Sequence, residues 1–151
     1  MSKKAAVIYA THGGNAELVA EALADGLIES KVEVDCLRSE QTKATDLLSY
    51  DFVVLICSTY DVGHLNDKMI RLNNELRSSG DTFKGKQIEI IGLGDLEHYD
   101  IFCGAADILE ETVKLIGAVQ KTDTVRFSGY PYEKLIEFKK WGMELSKLWK
   151  D

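Results

Sequence analysis

Apolar positions along the chain fall into two periods that alternate from one end to the other. Residues 5–9 form a continuous apolar run, the pattern of a strand buried on both faces. Leu18, Val19, Ala22, Leu23, Leu27 and Ile28 then recur at helical spacing, with Asn15 placed to cap that helix. Residues 32–37 alternate apolar and polar, as a strand near a sheet edge does. A second continuous run, residues 52–57, is followed by a predicted helix over residues 65–79 that stops at Gly80. A strand over residues 88–91 precedes a helix over residues 101–116, closed by Gly117. Residues 119–127 supply a fifth strand. Pro131, the only proline, sits where a last helix can begin and run through Trp141 and Trp149.

Strands that alternate with helices predict a parallel sheet covered on both faces, because parallel pairing needs crossover connections. Right-handed crossovers leave few topologies. No linker or shift of composition divides residues 1–151, so the expectation is one doubly wound α/β domain with a five-stranded parallel sheet.

Composition adds exclusions. A chain of 151 residues with 45% hydrophobic residues can bury a proper core. No apolar run approaches the ~20 residues of a membrane span. Met1-Ser2-Lys3-Lys4 leads straight into the first strand without the apolar stretch of a secretory signal, so a cytoplasmic protein is expected. Net charge −7 speaks against nucleic acid as a partner and favours proteins with basic faces. Cys36, Cys57 and Cys103 are odd in number and lack paired spacing, which predicts reduced thiols in or near the core. His12, His64 and His98 are scattered, and no metal site is expected. Nothing in the sequence requires more than a monomer.

Three loops share the carboxyl rim of such a sheet, where ligands of open α/β folds settle. The first is Thr11-His12-Gly13-Gly14-Asn15-Ala16, at a helix start that can hold a phosphate on backbone N–H groups without a lysine. It is neither a Walker loop nor the dinucleotide fingerprint. The second, Ser58-Thr59-Tyr60-Asp61-Val62-Gly63-His64, offers two hydroxyls and an aromatic ring. The third follows the strand at residues 88–91 and carries Leu93, Gly94, Asp95 and Tyr99, with little Cβ bulk to keep a flat ligand edge away. An anion nest and two aromatics suit a flat ring with a phosphate tail.

At this point the sequence resembles the flavodoxins, in the short form whose fifth strand carries no long insertion. Cys57-Ser58-Thr59-Tyr60 resembles the family's small-hydroxyl-aromatic loop. Gly92-x-Gly94-Asp95-x-x-x-Tyr99, followed by Phe102-Cys103-Gly104-Ala105, resembles its second flavin loop closely. The resemblance spans essentially the whole chain and implies strand order 2-1-3-4-5 with FMN at the switch point, an arrangement for which flavodoxin is itself a standard example. It further implies that Tyr60 and Tyr99 flank the isoalloxazine. Backbone at Leu93, Gly94 and Asp95, and near Phe102 and Cys103, would meet the pyrimidine edge, while Thr11, His12, Gly13, Gly14, Asn15 and Ala16 cradle the phosphate. Asp95 is equally suited to entering a helix, and Cys103 to inert packing.

Two positions depart from the family pattern. Flavodoxins usually show Ser/Thr-x-Thr-Gly-x-Thr in the phosphate loop, whereas Gly13 and Ala16 stand here at hydroxyl positions. Two lost bonds to a charged group cost roughly 3–6 kcal/mol before compensation, about two to four decades of affinity. Water, His12, Ser58 or Thr59 could recover part of it, and Ala16→Thr is expected to tighten binding. Asp61 replaces the glycine at which a peptide turns its carbonyl towards flavin N5, and Asp tolerates positive φ less well than Gly. The resemblance implies a low-potential one-electron carrier using non-covalent FMN between semiquinone and hydroquinone, with transient basic redox partners and no catalytic residues. The alternative is a flavodoxin-fold binding or regulatory module with weak or lost FMN binding. A flavin-dependent reductase ranks last, because so short a chain leaves little to build a substrate pocket.

Overall fold

The computed structural model describes residues 3–60, 64–94 and 103–149. Its sheet is built from β1 (Lys4–Ala10), β2 (Glu33–Arg38), β3 (Phe52–Tyr60), β4 (His64–Leu65), β5 (Gln87–Gly94) and β6 (Val125–Ser128). The parallel order is β2-β1-β3-β5-β6, with β4 paired antiparallel to the end of β3. Leaving aside the two-residue β4, this is the expected order 2-1-3-4-5. Helices α1 (Asn15–Glu29), α2 (Asp67–Arg77), α3 (Gly104–Leu115) and α4 (Leu135–Leu148) cover both faces.

Side chains alternate across a strand, so each central strand feeds two cores. Ala6, Ile8, Val53, Leu55, Ile88 and Ile90 pack under Met69 and Leu72 of α2 and Leu109 of α3. Val7, Val54, Ile56 and Ile91 pack under Val19 and Leu23 of α1 and Phe138 and Leu145 of α4. That double burial is why β1, β3 and β5 read as unbroken apolar runs. At the edge, β2 leaves Glu33, Cys36 and Arg38 exposed and buries none of its residues fully.

Several element boundaries differ from the sequence expectation, and three of the differences have an identifiable cause. The fifth strand was expected over residues 119–127, but only Val125–Ser128 pairs with β5, apart from a single bridge between Gln87 and Val119. In between, the N–H groups of Lys121 and Thr122 leave the ladder and donate to the wholly buried Glu89 carboxylate, each at 3.0 Å. Helix α2 starts at Asp67 because Leu65 is held in β4 and Asn66 caps the helix, its Oδ1 accepting from Lys68 N at 3.0 Å. Pro131 starts a 3-10 turn, Tyr132–Lys134, and α4 begins only at Leu135.

Candidate functional site

Parallel strands bring the ends of β1, β3 and β5 to one rim. After β1 the chain bends at once: the nearly buried Thr11 accepts a hydrogen bond on Oγ1 from Gly14 N at 2.9 Å. Gly14 closes the bend at φ 93°, in the left-handed region that favours glycine, and serves as N-cap of α1. Asn15, expected to cap this helix, is instead its first residue. Because Gly14 has no side chain, no side-chain cap satisfies the first-turn amides of α1. A Cβ built at Gly13 or Gly14 would meet nothing within 4 Å. An uncapped helix start beneath an open diglycine bend has the geometry and the dipole to receive an anion. The residues present therefore fit a phosphorylated ligand.

Charged side chains around this bend are engaged with one another. His12 Nε2 lies 2.5 Å from Asp67 Oδ1, tying the loop to the first turn of α2. The Glu17 carboxylate, in the first turn of α1, lies 3.5 Å from an Arg38 guanidinium nitrogen on β2. Ala16 is wholly buried in the core beneath α1. That revises one expectation: a threonine at position 16 must find room among packed apolar atoms, and the open position for a hydroxyl is Gly13.

The end of β3 presents Ser58 and Thr59, both half-buried. Ser58 Oγ donates to Ala10 O at 3.4 Å and accepts from Asn66 Nδ2 at 2.7 Å, so its donor is already used. Among the described residues Thr59 Oγ1 accepts from Ala105 N at 3.5 Å and donates to none, so its O–H can turn towards a ligand. Asn66, fully buried, joins these groups to α2 and was not singled out in the sequence. An asparagine directly before an acid and an amphipathic run is an N-cap signature that could have revealed it. Tyr60 ends β3, its backbone paired with His64; Asp61, Asp95, Tyr99 and Phe102 lie outside the described residues.

On β5, Leu93 is buried, and Gly94 O accepts from Gly129 N at 3.3 Å, so the loop after β6 abuts the same rim. Cys103 caps α3 in the left-handed conformation, φ 55°. Its buried thiol lies 3.4 Å from Gly92 O, and burial pushes it up to about 11. Burial likewise pushes Cys57 up to about 12, so both core thiols are protonated at neutral pH. Cys36 lies exposed on β2 rather than in the core. Among the described residues no cluster of His, Cys, Asp and Glu could hold a metal ion.

Gly92 decides how close α3 comes to this rim. A Cβ there would stand 2.6 Å from Ala106 Cβ and 3.4 Å from Cys103 Cβ. Gly92→Ala is therefore expected to push the start of α3 outward, costing about 1–3 kcal/mol as overpacking does. It should also weaken FMN binding by at least about tenfold. Flavin-fluorescence titration alongside chemical denaturation checks both effects.

A doubly wound sheet of this order with an anion-ready bend at its switch point defines the flavodoxin-like class. Comparison carries this further: the Flavodoxin family model matches residues 7–141. The flavodoxin of Maridesulfovibrio salexigens is 32% identical over 131 residues, covering 85% of this chain and 88% of its own. A probable flavodoxin 2 of Bacillus subtilis is 32% identical over 140 residues, covering 89% and 91%. Among solved structures, a short-chain flavodoxin associated with a PDU bacterial microcompartment superposes with a TM-score of 0.88 at 30% identity, covering 98% of this chain and 99% of that one. The chain belongs to the flavodoxin family, whose members bind FMN and carry electrons.

Proposed function

We propose that this chain is a cytoplasmic, monomeric one-electron carrier with non-covalent FMN, working on the lower-potential of the flavin's two one-electron couples. The observation that carries the reading is the open, uncapped start of α1 at Gly13 and Gly14, set on the rim where β3 and β5 end. When bound, FMN supplies the redox chemistry; the protein binds and orients it and sets the energy of each charge state. The amides of Gly13, Gly14, Asn15 and Ala16 would hold the phosphate, with Thr11 fixing the bend and His12 bordering it through Asp67. Ser58 and Thr59 would line the approach, the Thr59 hydroxyl donating to none of the described residues. Tyr60 and Tyr99 would cover the two ring faces. Backbone of Leu93, Gly94 and Asp95, and the turn at Phe102 and Cys103, would meet the pyrimidine edge. A peptide carbonyl at Asp61 would accept a hydrogen bond from flavin N5–H, and nearby carboxylates would disfavour added negative charge on the ring. Together these effects pull the two couples apart.

The visible spectrum of the purified protein, with and without added FMN, tests this reading. A protein that stays colourless in excess FMN would sink it and leave a flavin-free binding module. Gly13→Ser adds a hydroxyl where there is room for one. It should tighten FMN about ten- to a hundredfold, the worth of one hydrogen bond to a charged acceptor, and leave riboflavin affinity unchanged. Parallel titration with the two flavins reads the difference directly.

A further inference from the structure

We propose that Tyr130, Tyr132 and Ile136, with the cleft between residues 18–25 of α1 and the start of α4, form the docking face for a basic redox protein whose lysine or arginine side chains enter that cleft. The inference rests on the electron-carrier reading above. Single exposed apolar residues are ordinary, but these three fall within residues 130–136 at 76%, 63% and 70% exposure. The two tyrosine rings stack on each other with centroids 6.0 Å apart. Buried Pro131 between them anchors the turn, so the rings are held outward by a fixed backbone. Grouped, rigid, exposed aromatics mark a protein interaction surface, and tyrosine is among the residues that dominate binding energy at such surfaces.

Beside Ile136 a cleft of about 250 Å³ opens between α1 and α4. Its apolar floor includes Leu18 and Ala22, and Glu21 and Asp25 line it from α1, one turn apart. Neither carboxylate forms an ion pair among the described residues. Lys139 borders the cleft from α4, but its ammonium is turned to Glu29 at 2.8 Å. Lys134, nearby, pairs with Glu137 at 3.4 Å. The cleft is thus negative at its wall and greasy at its floor. Lysine and arginine have the matching shape, an aliphatic stem that buries and a cationic head that meets carboxylates. A partner rich in acids would instead face repulsion from a chain of net charge −7.

Position supplies the link to electron transfer. Helices that follow parallel strands begin at the carboxyl rim, so the end of the cleft at Leu18 and Leu135 is the end nearest the candidate flavin site. Gly129, directly before Tyr130, donates its N–H to Gly94 O at 3.3 Å, at the end of β5. A protein seated on the tyrosines lies against the rim at which an electron would leave.

The test uses the FMN-loaded protein in its oxidised state, titrated calorimetrically with ferricytochrome c, a strongly basic haem protein, as the probe. With both proteins oxidised, no electron passes and only binding is read. Tyr130→Ser combined with Tyr132→Ser should weaken binding at least tenfold at both low and moderate salt. Glu21→Gln combined with Asp25→Asn should weaken it about two- to fivefold, mainly at low salt. Leu115→Ser, at an equally exposed apolar residue at the far end of α3, should change nothing. The flavin spectrum of each variant shows that fold and cofactor are intact. Unchanged affinity in the tyrosine variant, or no binding of the probe by the parent protein, overturns the docking face while the bound flavin leaves the carrier reading standing. A parent protein that takes up no FMN overturns both.

Discussion

Gly26→Ala should lower stability by about 2–4 kcal/mol, although alanine is the better helix former. Propensity alone favours alanine in a helix interior by about 1 kcal/mol. The surroundings decide otherwise: an added Cβ would fall on the Lys139 carbonyl of α4, with Met143 N only 3.1 Å away. Both are backbone, so no side chain can rotate to make room, and α4 has to move as a body. Gly142 mirrors this from the other helix, where a Cβ would strike the Leu23 carbonyl of α1. The two glycines let the helix axes approach closely over the core that Leu23, Leu27, Phe138 and Leu145 fill. Separating the helices loosens that packing, which adds to the overpacking cost. For a domain of this size the melting temperature should fall by roughly 5–15 °C. Chemical denaturation with an unchanged slope would confirm a loss of native-state stability. A Gly26→Ala protein as stable as the parent would show that α1 and α4 are not in this contact.

Glu89→Ala should cost a similar amount, about 2–4 kcal/mol, through a different mechanism. Glu89 is fully buried near the start of β5, and its carboxylate is surrounded by donors. Oε2 accepts from Gln87 Nε2 at 2.8 Å and Lys121 N at 3.0 Å. Oε1 accepts from Thr122 N at 3.0 Å and the Thr122 hydroxyl at 2.6 Å. Truncation leaves these donors without a partner and opens a cavity, each a named source of large destabilisation. Glu89→Gln should cost less, about 1–2 kcal/mol. Its amide can keep both Thr122 bonds and meet a flipped Gln87, leaving only the Lys121 amide unpaired. Hydrogen exchange separates this account from a general loosening. In Glu89→Ala the Lys121 and Thr122 amides should lose protection first, while β1 and β3 amides keep theirs. The same change should also weaken FMN binding, because residues 119–124 lead into β6 and so to the Gly129–Gly94 bond at the rim.

Much of this was legible in the amino-acid order. The strands β1, β3 and β5 were readable because burial on both faces forces unbroken apolar runs, and β2 because an edge strand alternates. The family resemblance followed from short-range spacing in the loops, where glycines and hydroxyls sit at fixed offsets. Apart from the helix starts at Gly14, Asn66 and Pro131, what escaped the reading involved a partner distant in sequence. Residues 120–124 carry an acceptable strand pattern, and only a buried carboxylate some thirty positions earlier takes their amides out of the ladder. Ala16 reads as a lost phosphate ligand, yet its side chain belongs to the core.

The sequence by itself determined the fold class, the order of elements and the location of the candidate flavin loops, since those depend on local period and on which residues tolerate tight turns. Tertiary structure alone decided the rest. His12 meets Asp67, Ser58 is held by Asn66, Gly26 lies under a carbonyl of α4, and two tyrosines beside the rim stay uncovered. Each depends on which surfaces meet when helices pack on a twisted sheet, and side-chain periodicity carries no record of that distance.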